Sequence, residues 1–348
     1  VGNYDVTYVP GTFTITKKPV IVTVPPVDVP YDGNPHGTSC TATDGLTGTI
    51  SYTGVAPTVY GPSTTAPTAV GDYTATCTVP GDPNHDGPTT GEGTVKIRPI
   101  ALTVVANNKT RSYGAANPVL DGTLTGVLAG DNITASYSTT AGATTPAGVY
   151  PGLIIATLND PNGKLSNYTV TNTPGTLTIT KKPVIVTVPP VDVPYDGNPH
   201  GSICTATDGL TGTISYTGVA PTVYGPSTTA PTAVGDYTAT CTVPGDPNHD
   251  GPTTGEGTVK IRPIALTVVA NNKTRVYGAA NPVLDGTLTG VLAGDNITAS
   301  YSTTADATTP AGVYAGLIVA TLNDPNNKLS NYTVTNTPGT LTITKKPV

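Results

Sequence analysis

Apolar residues alternate with polar ones over short stretches of this chain. Val20/Val22/Val24, Tyr73/Ala75/Cys77/Val79 and Leu177/Ile179 each fall on every second position. A period of two puts those side chains on one face of a pleated strand. Threonine fills the opposite face, where a β-branched polar side chain fits well. Gly, Pro, Asn and Asp clusters interrupt the runs at short intervals, as at Gly61-Pro62 and Asp160-Pro161-Asn162-Gly163. No segment carries a 3.6-residue apolar stripe. The pattern predicts an all-β chain of short strands arranged as small sandwiches or related β-folds.

The strand pattern repeats at two levels. Residues 21–184 recur as 185–348 without a gap, differing only at Thr38/Ser202, Ser39/Ile203, Ser112/Val276, Gly142/Asp306, Pro151/Ala315, Ile155/Val319 and Gly163/Asn327. Inside each copy lies an older duplication. Lys18-Pro19-Val20-Ile21-Val22-Thr23-Val24 parallels Arg98-Pro99-Ile100-Ala101-Leu102-Thr103-Val104, and Gly93-Thr94-Val95-Lys96-Ile97 parallels Gly175-Thr176-Leu177-Thr178-Ile179. The order is A-B-A-B, with modules expected at 18–97 (A1), 98–181 (B1), 182–261 (A2) and 262–345 (B2). Residues 1–17 align with the end of a B module and read as its closing strands; Val1-Gly2-Asn3-Tyr4 reads as strand rather than as a leader. Residues 346–348 read as the start of a next module. A single catalytic pocket sits poorly with near-complete duplication, which favours length, spacing or multivalency.

The joints between modules are two or three residues long: Lys18-Pro19, Arg98-Pro99, Lys182-Pro183 and Arg262-Pro263. Proline fixes its own φ and biases the preceding residue toward extended backbone. Strand, stiff dipeptide, strand predicts an elongated rod. A ten-residue strand at ~3.3 Å per residue spans roughly 33 Å, so four modules would reach on the order of 130 Å.

Composition narrows the role. With 40 Gly, 35 Pro, no Met and only Glu92 and Glu256 as glutamates, the chain is poor in helix formers. The net charge of −6 with 11% charged residues, and no long Lys/Arg run, leaves no electrostatic footprint for nucleic acid. No apolar stretch approaches the ~20 residues of a bilayer span.

The strings Leu102-Thr103-Val104, Ala106-Asn107-Asn108-Lys109, Tyr113-Gly114, Asn117-Pro118 and Gly130-Asp131 continue into Tyr137-Ser138-Thr139, Gly148-Val149-Tyr150, Asn167-Tyr168 and Gly175-Thr176-Leu177-Thr178-Ile179. Together they resemble the MBG and YDG-type repeats of bacterial surface proteins, and Tyr31-Asp32-Gly33 in module A is a looser match. The resemblance implies four small Ig-like β-sandwich or β-grasp-like modules in an extracellular stalk or adhesin array at a bacterial cell surface.

Candidate chemistry is sparse. Cys40/Cys77 and Cys204/Cys241 sit within the A modules, and Cys77 shares the inward parity of Tyr73 and Val79. A disulfide within each A module is the preferred reading, with buried free thiols as the alternative. Such a bridge contributes ~3–4 kcal/mol in the chain-entropy model and places the chain outside the cytoplasm. Asp82, Asn84 and Asp86, with copies Asp246, Asn248 and Asp250, mimic the start of a Ca2+ loop. Glu92 falls one place short of the twelfth position, so a plain hairpin turn is preferred and no cofactor is expected. His36, His85, His200 and His249 read as surface turn residues, and an Asn–Lys crosslink would have to use Glu92 beside Lys96. Asn-x-Thr at Asn108, Asn132 and Asn167 reads as strand composition. Most of the 18 tyrosines read as core, and exposed ones would suit glycan stacking.

The expected role is a structural segment, stalk, spacer or fibre, whose partners are other copies of the same modules. Two alternatives stand beside it: an adhesin module binding glycan, mucin or another surface, and a filament subunit assembling by strand donation between chains. No catalytic constellation supports an enzyme.

Overall fold

A computed structural model describes residues 2–348. Among them the only helical pieces are 3-10 turns of three residues, so the fold is all-β, as the period of two predicted. No helix packs on a sheet as a β-grasp would require; each module is built from two small sheets. The chain divides into two compact units, the first ending at Thr180 and the second beginning at Lys181.

In the first unit, module A contributes β1 (Val22–Thr23), β2 (Val27–Pro30), β3 (Thr41–Ala42), β4 (Thr49–Gly54), β5 (Gly71–Val79) and β6 (Thr89–Arg98). Its larger sheet has the order β2-β6-β5-β4, and β1 pairs with β3. The β5/β6 hairpin is the spine, antiparallel from Gly71↔Ile97 to Val79↔Thr89. Along β5 the alternation is realised directly: Tyr73, Ala75, Cys77 and Val79 are buried. On β6 the same face holds Val95 and Ile97 but also Gly91 and Gly93. There β1 and its flank run close against the strand: a Cβ on Gly93 would sit 2.5 Å from the Val24 carbonyl oxygen, and one on Gly91 2.7 Å from that of Val22. Glycine is required because backbone occupies the space a side chain would take.

Module B contributes β7 (Ile100–Ala106), β8 (Lys109–Ser112), β9 (Gly122–Thr125), β10 (Thr134–Thr139), β11 (Gly148–Asn159), β12 (Tyr168–Thr173) and β13 (Gly175–Thr180). Its sheets run β12-β7-β9 and β10-β11-β13-β8, with β12 parallel to β7 and β13 parallel to β8. Leu102 and Val104 on one sheet, and Ile154 and Leu177 on the other, are fully buried.

Modules A and B do not keep separate interiors. One cluster joins Val20, Tyr31, Tyr73, Val95 and Ile97 of A to Leu102, Ile133 and Tyr168 of B. A second, smaller cluster around Ile154, Leu177 and Ile179 fills the far end of B. Strands β14–β26 (Val186–Thr187 to Gly339–Thr344) repeat the arrangement in the second unit, with the same pairings and the same two clusters.

The closing strands expected within residues 1–17 are not formed: residues 4–17 carry no strand, and Val1 lies outside the described residues. Phe13 and Ile15 align with Leu177 and Ile179. In module B those positions are buried against the sheet; at the start of the chain Phe13 is 87% and Ile15 84% exposed. The sequence is strand-like, but β12 and β13 depend on β7, β8 and β11 for their hydrogen bonds. An isolated strand has no ladder to join.

Candidate functional site

Side-chain contacts gather at two places in each unit: the entry joint of module A, where the Lys18-Pro19 dipeptide meets the Asp82–Asp86 loop, and the seam between A and B.

At the entry joint, the loop after β5 reaches across to the start of the module. The Lys18 amide donates to the Asn84 carbonyl at 2.9 Å, and the Asp86 amide donates to the Lys18 carbonyl at 3.0 Å. This short parallel bridge clamps the residue before Pro19. Side chains reinforce it. The Asp82 carboxylate accepts from the amides of Asn84 (2.7 Å) and His85 (2.6 Å), closing the turn on itself. His85 Nδ1 lies 2.9 Å from Asp82, and Nε2 lies 3.0 Å from Asp44 Oδ2. Lys18 Nζ donates to both oxygens of Asp44 at 2.8 Å. With a carboxylate on each ring nitrogen, His85 is served best as an imidazolium donating from both.

The electrostatics follow from the contacts. Hydrogen bonding to Asp44, then to Asp82, raises the His85 pKa above its ordinary value. Lys18 and His85 hold Asp44 below the usual carboxylate range, and His85 does the same for Asp82. The second unit repeats the clamp: the Lys182 amide donates to Asn248, the Asp250 amide to Lys182, Lys182 Nζ to Asp208, and His249 bridges Asp208 and Asp246. There Lys181 Nζ also donates to the Asp246 carbonyl at 2.7 Å.

The calcium-loop residues are thus engaged in other work. Asp82 is turned onto its own loop and His85, and Asn84 and Asp86 contact Lys18 through backbone. Among the described residues no group of three or more His, Cys, Asp or Glu side chains is gathered to hold a metal. Asp44 and its copy Asp208 escaped sequence reasoning altogether. The only local sign was the Asp44-Gly45 dipeptide, where Asp44 takes a left-handed φ of 56°.

Disulfides link Cys40 to Cys77 and Cys204 to Cys241, with Cα atoms 6.2 Å apart in each case, a normal span for such a bridge. Each ties the approach to the short strand (β3 in the first unit) onto the hairpin spine. Gly48 packs over the first bridge; a Cβ there would meet Val79 Cγ2 at 2.9 Å.

The seam between A and B is organised by a buried carboxylate. Asp131, 5% exposed, ends the 3-10 turn Ala129–Asp131. It accepts from Tyr31 of module A at 3.0 and 3.1 Å and from Tyr168 of module B at 2.5 Å. The two rings stack edge to face at 5.8 Å, and the Tyr168 hydroxyl accepts from the Leu128 amide. Buried Asn167 accepts from the Val70 amide at 2.8 Å, a second link from B to A. Burial, then the bond to Asp131, pushes the Tyr31 hydroxyl up to about 12. Tyr195, Tyr332 and Asp295 repeat the constellation. Beside it opens a polar cleft of about 330 Å3 lined by Tyr31, Asp32, Asn34, Asp131, Lys164 and Asn167. The joint itself is held by Arg98, which donates from Nε and Nη2 to Asp28 at 2.8 and 2.7 Å, and whose carbonyl accepts from the Tyr31 amide. Arg262 makes the same pair with Asp192.

Comparison with known families agrees with this two-type repeat. The model described as "MBG domain (YGX type)" matches residues 102–178 and 266–342, and that described as "MBG domain" matches 21–99 and 185–263. No curated protein matches the sequence. Among solved structures, similar chains include protocadherin gammaB7 EC3-6 (14% identity, 93% of this chain and 99% of that one, TM-score 0.28). Drosophila N-cadherin EC1-4 (10%, 93% and 99%, TM-score 0.22) and mouse protocadherin-24 EC1-3 (10%, 73% and 100%, TM-score 0.29) are others. At those scores the likeness carries no argument.

Proposed function

The chain belongs to the MBG domain family, two domains of each of two types in tandem, and from that premise we propose that it is a structural segment of an extracellular repeat protein, built to hold its length under load. The observation that carries this reading is the shared interior of A and B. Tyr31 and Tyr168 reach one buried carboxylate from either side of the Arg98-Pro99 joint. A binding array would tolerate hinges there; here the hinge is filled with core. Disulfides within the A modules support an oxidising, extracytoplasmic setting, and the bacterial cell surface is the setting this reading favours.

Single-molecule stretching tests the proposal. Each A–B unit is expected to open in one event, releasing on the order of 400 Å of chain at ~3.5 Å per residue with the disulfide loop held back. Reduction should add roughly 130 Å per unit, for the 37-residue separation of the bridged cysteines. Separate, unequal events for A and B would overturn the reading.

The polar cleft beside Asp131 favours a second reading, an adhesin in which each unit presents one saccharide-sized site. Repetition would then raise avidity without new contacts. Saccharide binding by the full chain on a glycan array, abolished by Asn34→Ala with Asn198→Ala, would select that role over the structural one.

A further inference from the structure

The chain contains four Asp-Pro peptide bonds: Asp82-Pro83, Asp160-Pro161, Asp246-Pro247 and Asp324-Pro325. Such a bond is the most acid-labile peptide bond in a polypeptide backbone. The aspartate carboxylate is placed to attack its own carbonyl carbon through a five-membered ring, and the proline nitrogen, once protonated, leaves as a secondary amine. Cleavage therefore needs a nucleophilic carboxylate and a proton donor together.

The four bonds are not equivalent. The Asp160 carboxylate accepts from the backbone amides of Lys164 and Leu165, at 2.8 and 2.7 Å, and Asp324 does the same with Lys328 and Leu329. Backbone amides give up no proton. Asp82 also accepts from backbone amides, those of Asn84 and His85 at 2.7 and 2.6 Å, but it faces a side-chain proton carrier as well: His85 Nδ1 lies 2.9 Å from both carboxylate oxygens. The far side of that ring is held by Asp44 at 3.0 Å, and Asp44 is held by Lys18. Asp246, His249, Asp208 and Lys182 repeat the relay. The arrangement follows the logic of nucleophile, proton carrier and orienting carboxylate.

We propose that Asp82-Pro83 and Asp246-Pro247 are self-cleavage sites, in which the aspartate carboxylate is the nucleophile and the neighbouring histidine supplies the proton to the departing proline nitrogen. A carboxylate oxygen of Asp82 bonds to the Asp82 carbonyl carbon, and the carbon–nitrogen bond to Pro83 breaks. The nitrogen takes the proton from His85 Nδ1, leaving a cyclic anhydride on Asp82. Water opens the anhydride to two carboxylic acids, and one of the protons they release restores the imidazolium. The sum is hydrolysis of one peptide bond with one water consumed. Asp44 is a positioning residue: it fixes the ring and favours its charged form.

The cut falls in the loop between β5 and β6, whose ladder from Gly71↔Ile97 to Val79↔Thr89 keeps the halves assembled. What it frees is the grip of Asn84 and Asp86 on Lys18. The nick would loosen the entry joint without dismantling the module.

The test uses the purified full chain, held at pH 5.5 and 37 °C with protease inhibitors and sampled over days. Intact-mass spectrometry of denatured samples reads the fragments. Fragments 1–82, 83–246 and 247–348 are expected, with cuts at the two histidine-flanked bonds at least tenfold faster than at Asp160-Pro161 and Asp324-Pro325. In urea the four bonds should cleave at similar rates. His85→Gln should drop the first site to the rate of the histidine-free bonds while Asp246-Pro247 continues as the internal rate reference, and unchanged hydrogen-exchange protection of β5 and β6 in the variant shows that the first unit is still folded. Equal rates at all four bonds in the native chain, an unchanged first site in His85→Gln, or no cut at either site would overturn the proposal.

Discussion

Replacing Tyr31 with Phe removes one hydroxyl and little else, which makes it a sharp probe of the seam. Tyr31 is 4% exposed, and its hydroxyl donates to both oxygens of the buried Asp131 carboxylate at 3.0 and 3.1 Å. A hydrogen bond to a charged group contributes about 1.5–3 kcal/mol net. The ring and its edge-to-face contact with Tyr168 survive the change, so no cavity term of consequence is added. Asp131 retains Tyr168, which limits the loss to the lower or middle part of that range. A cost of ~2 kcal/mol follows, equivalent to a fall in Tm of ~4–8 °C for a unit of this size. Only the first unit should shift, because Tyr195 guards the second. Calorimetry is expected to show one transition splitting into two, and Tyr31→Phe with Tyr195→Phe should merge them again at the lower temperature. Hydrogen exchange read by mass spectrometry locates the loss. Peptides spanning the Ser39/Ile203, Ser112/Val276 and Ile155/Val319 differences separate the two units despite their near identity. Protection should fall in β7–β13 as well as β1–β6. A shift under ~0.5 kcal/mol, or a loss of protection confined to module A, would refute the claim that the two modules share one cooperative interior.

The clamp at the entry joint predicts a pH window. The His85 pKa is raised by folding, so its contribution is fully present below the ordinary histidine pKa of ~6.5 and is lost as pH rises through the folded value. The pKa values of Asp44 and Asp82 are lowered, so theirs is present above the ordinary value of ~3.9 and lost as pH falls through the folded value. Denaturant midpoints should therefore peak between pH ~4 and ~6.5, and His85→Asn with His249→Asn should flatten the alkaline side. Reduction of the disulfides should cost ~3–4 kcal/mol per unit in urea unfolding at pH 7, with module A losing exchange protection first. Gly93→Ala should destabilise by ~1–3 kcal/mol or more, because its Cβ would sit 2.5 Å from the Val24 carbonyl oxygen; Thr94→Ala on the same strand is the tolerated control. Leu177→Ala, at a fully buried site, should cost ~3–5 kcal/mol by thermal unfolding.

The strand pattern was legible because it is local. Tyr73, Ala75, Cys77 and Val79 alternate in sequence, and the pleat of one strand turns that alternation directly into a buried face. At residues 4–17 the same alternation carries no strand, since a strand needs a ladder to join as well as a pattern. Asp82-Pro83-Asn84 was legible as a turn, since its aspartate caps its own next amides. That the turn grips Lys18 was not legible, because nothing in either stretch encodes their approach.

The chain's own letters determined its all-β character, its two-type repeat, the family to which it belongs and the cysteines available for bridging. All are matters of composition, short-range period and recurrence. The tertiary structure alone decided that A and B share an interior, that Tyr31 and Tyr168 meet on Asp131, and that His85 stands between Asp82 and Asp44. Those partners lie 100, 37 and 41 positions apart. Contacts at such separations depend on how sheets pack and loops close, and no local period records that.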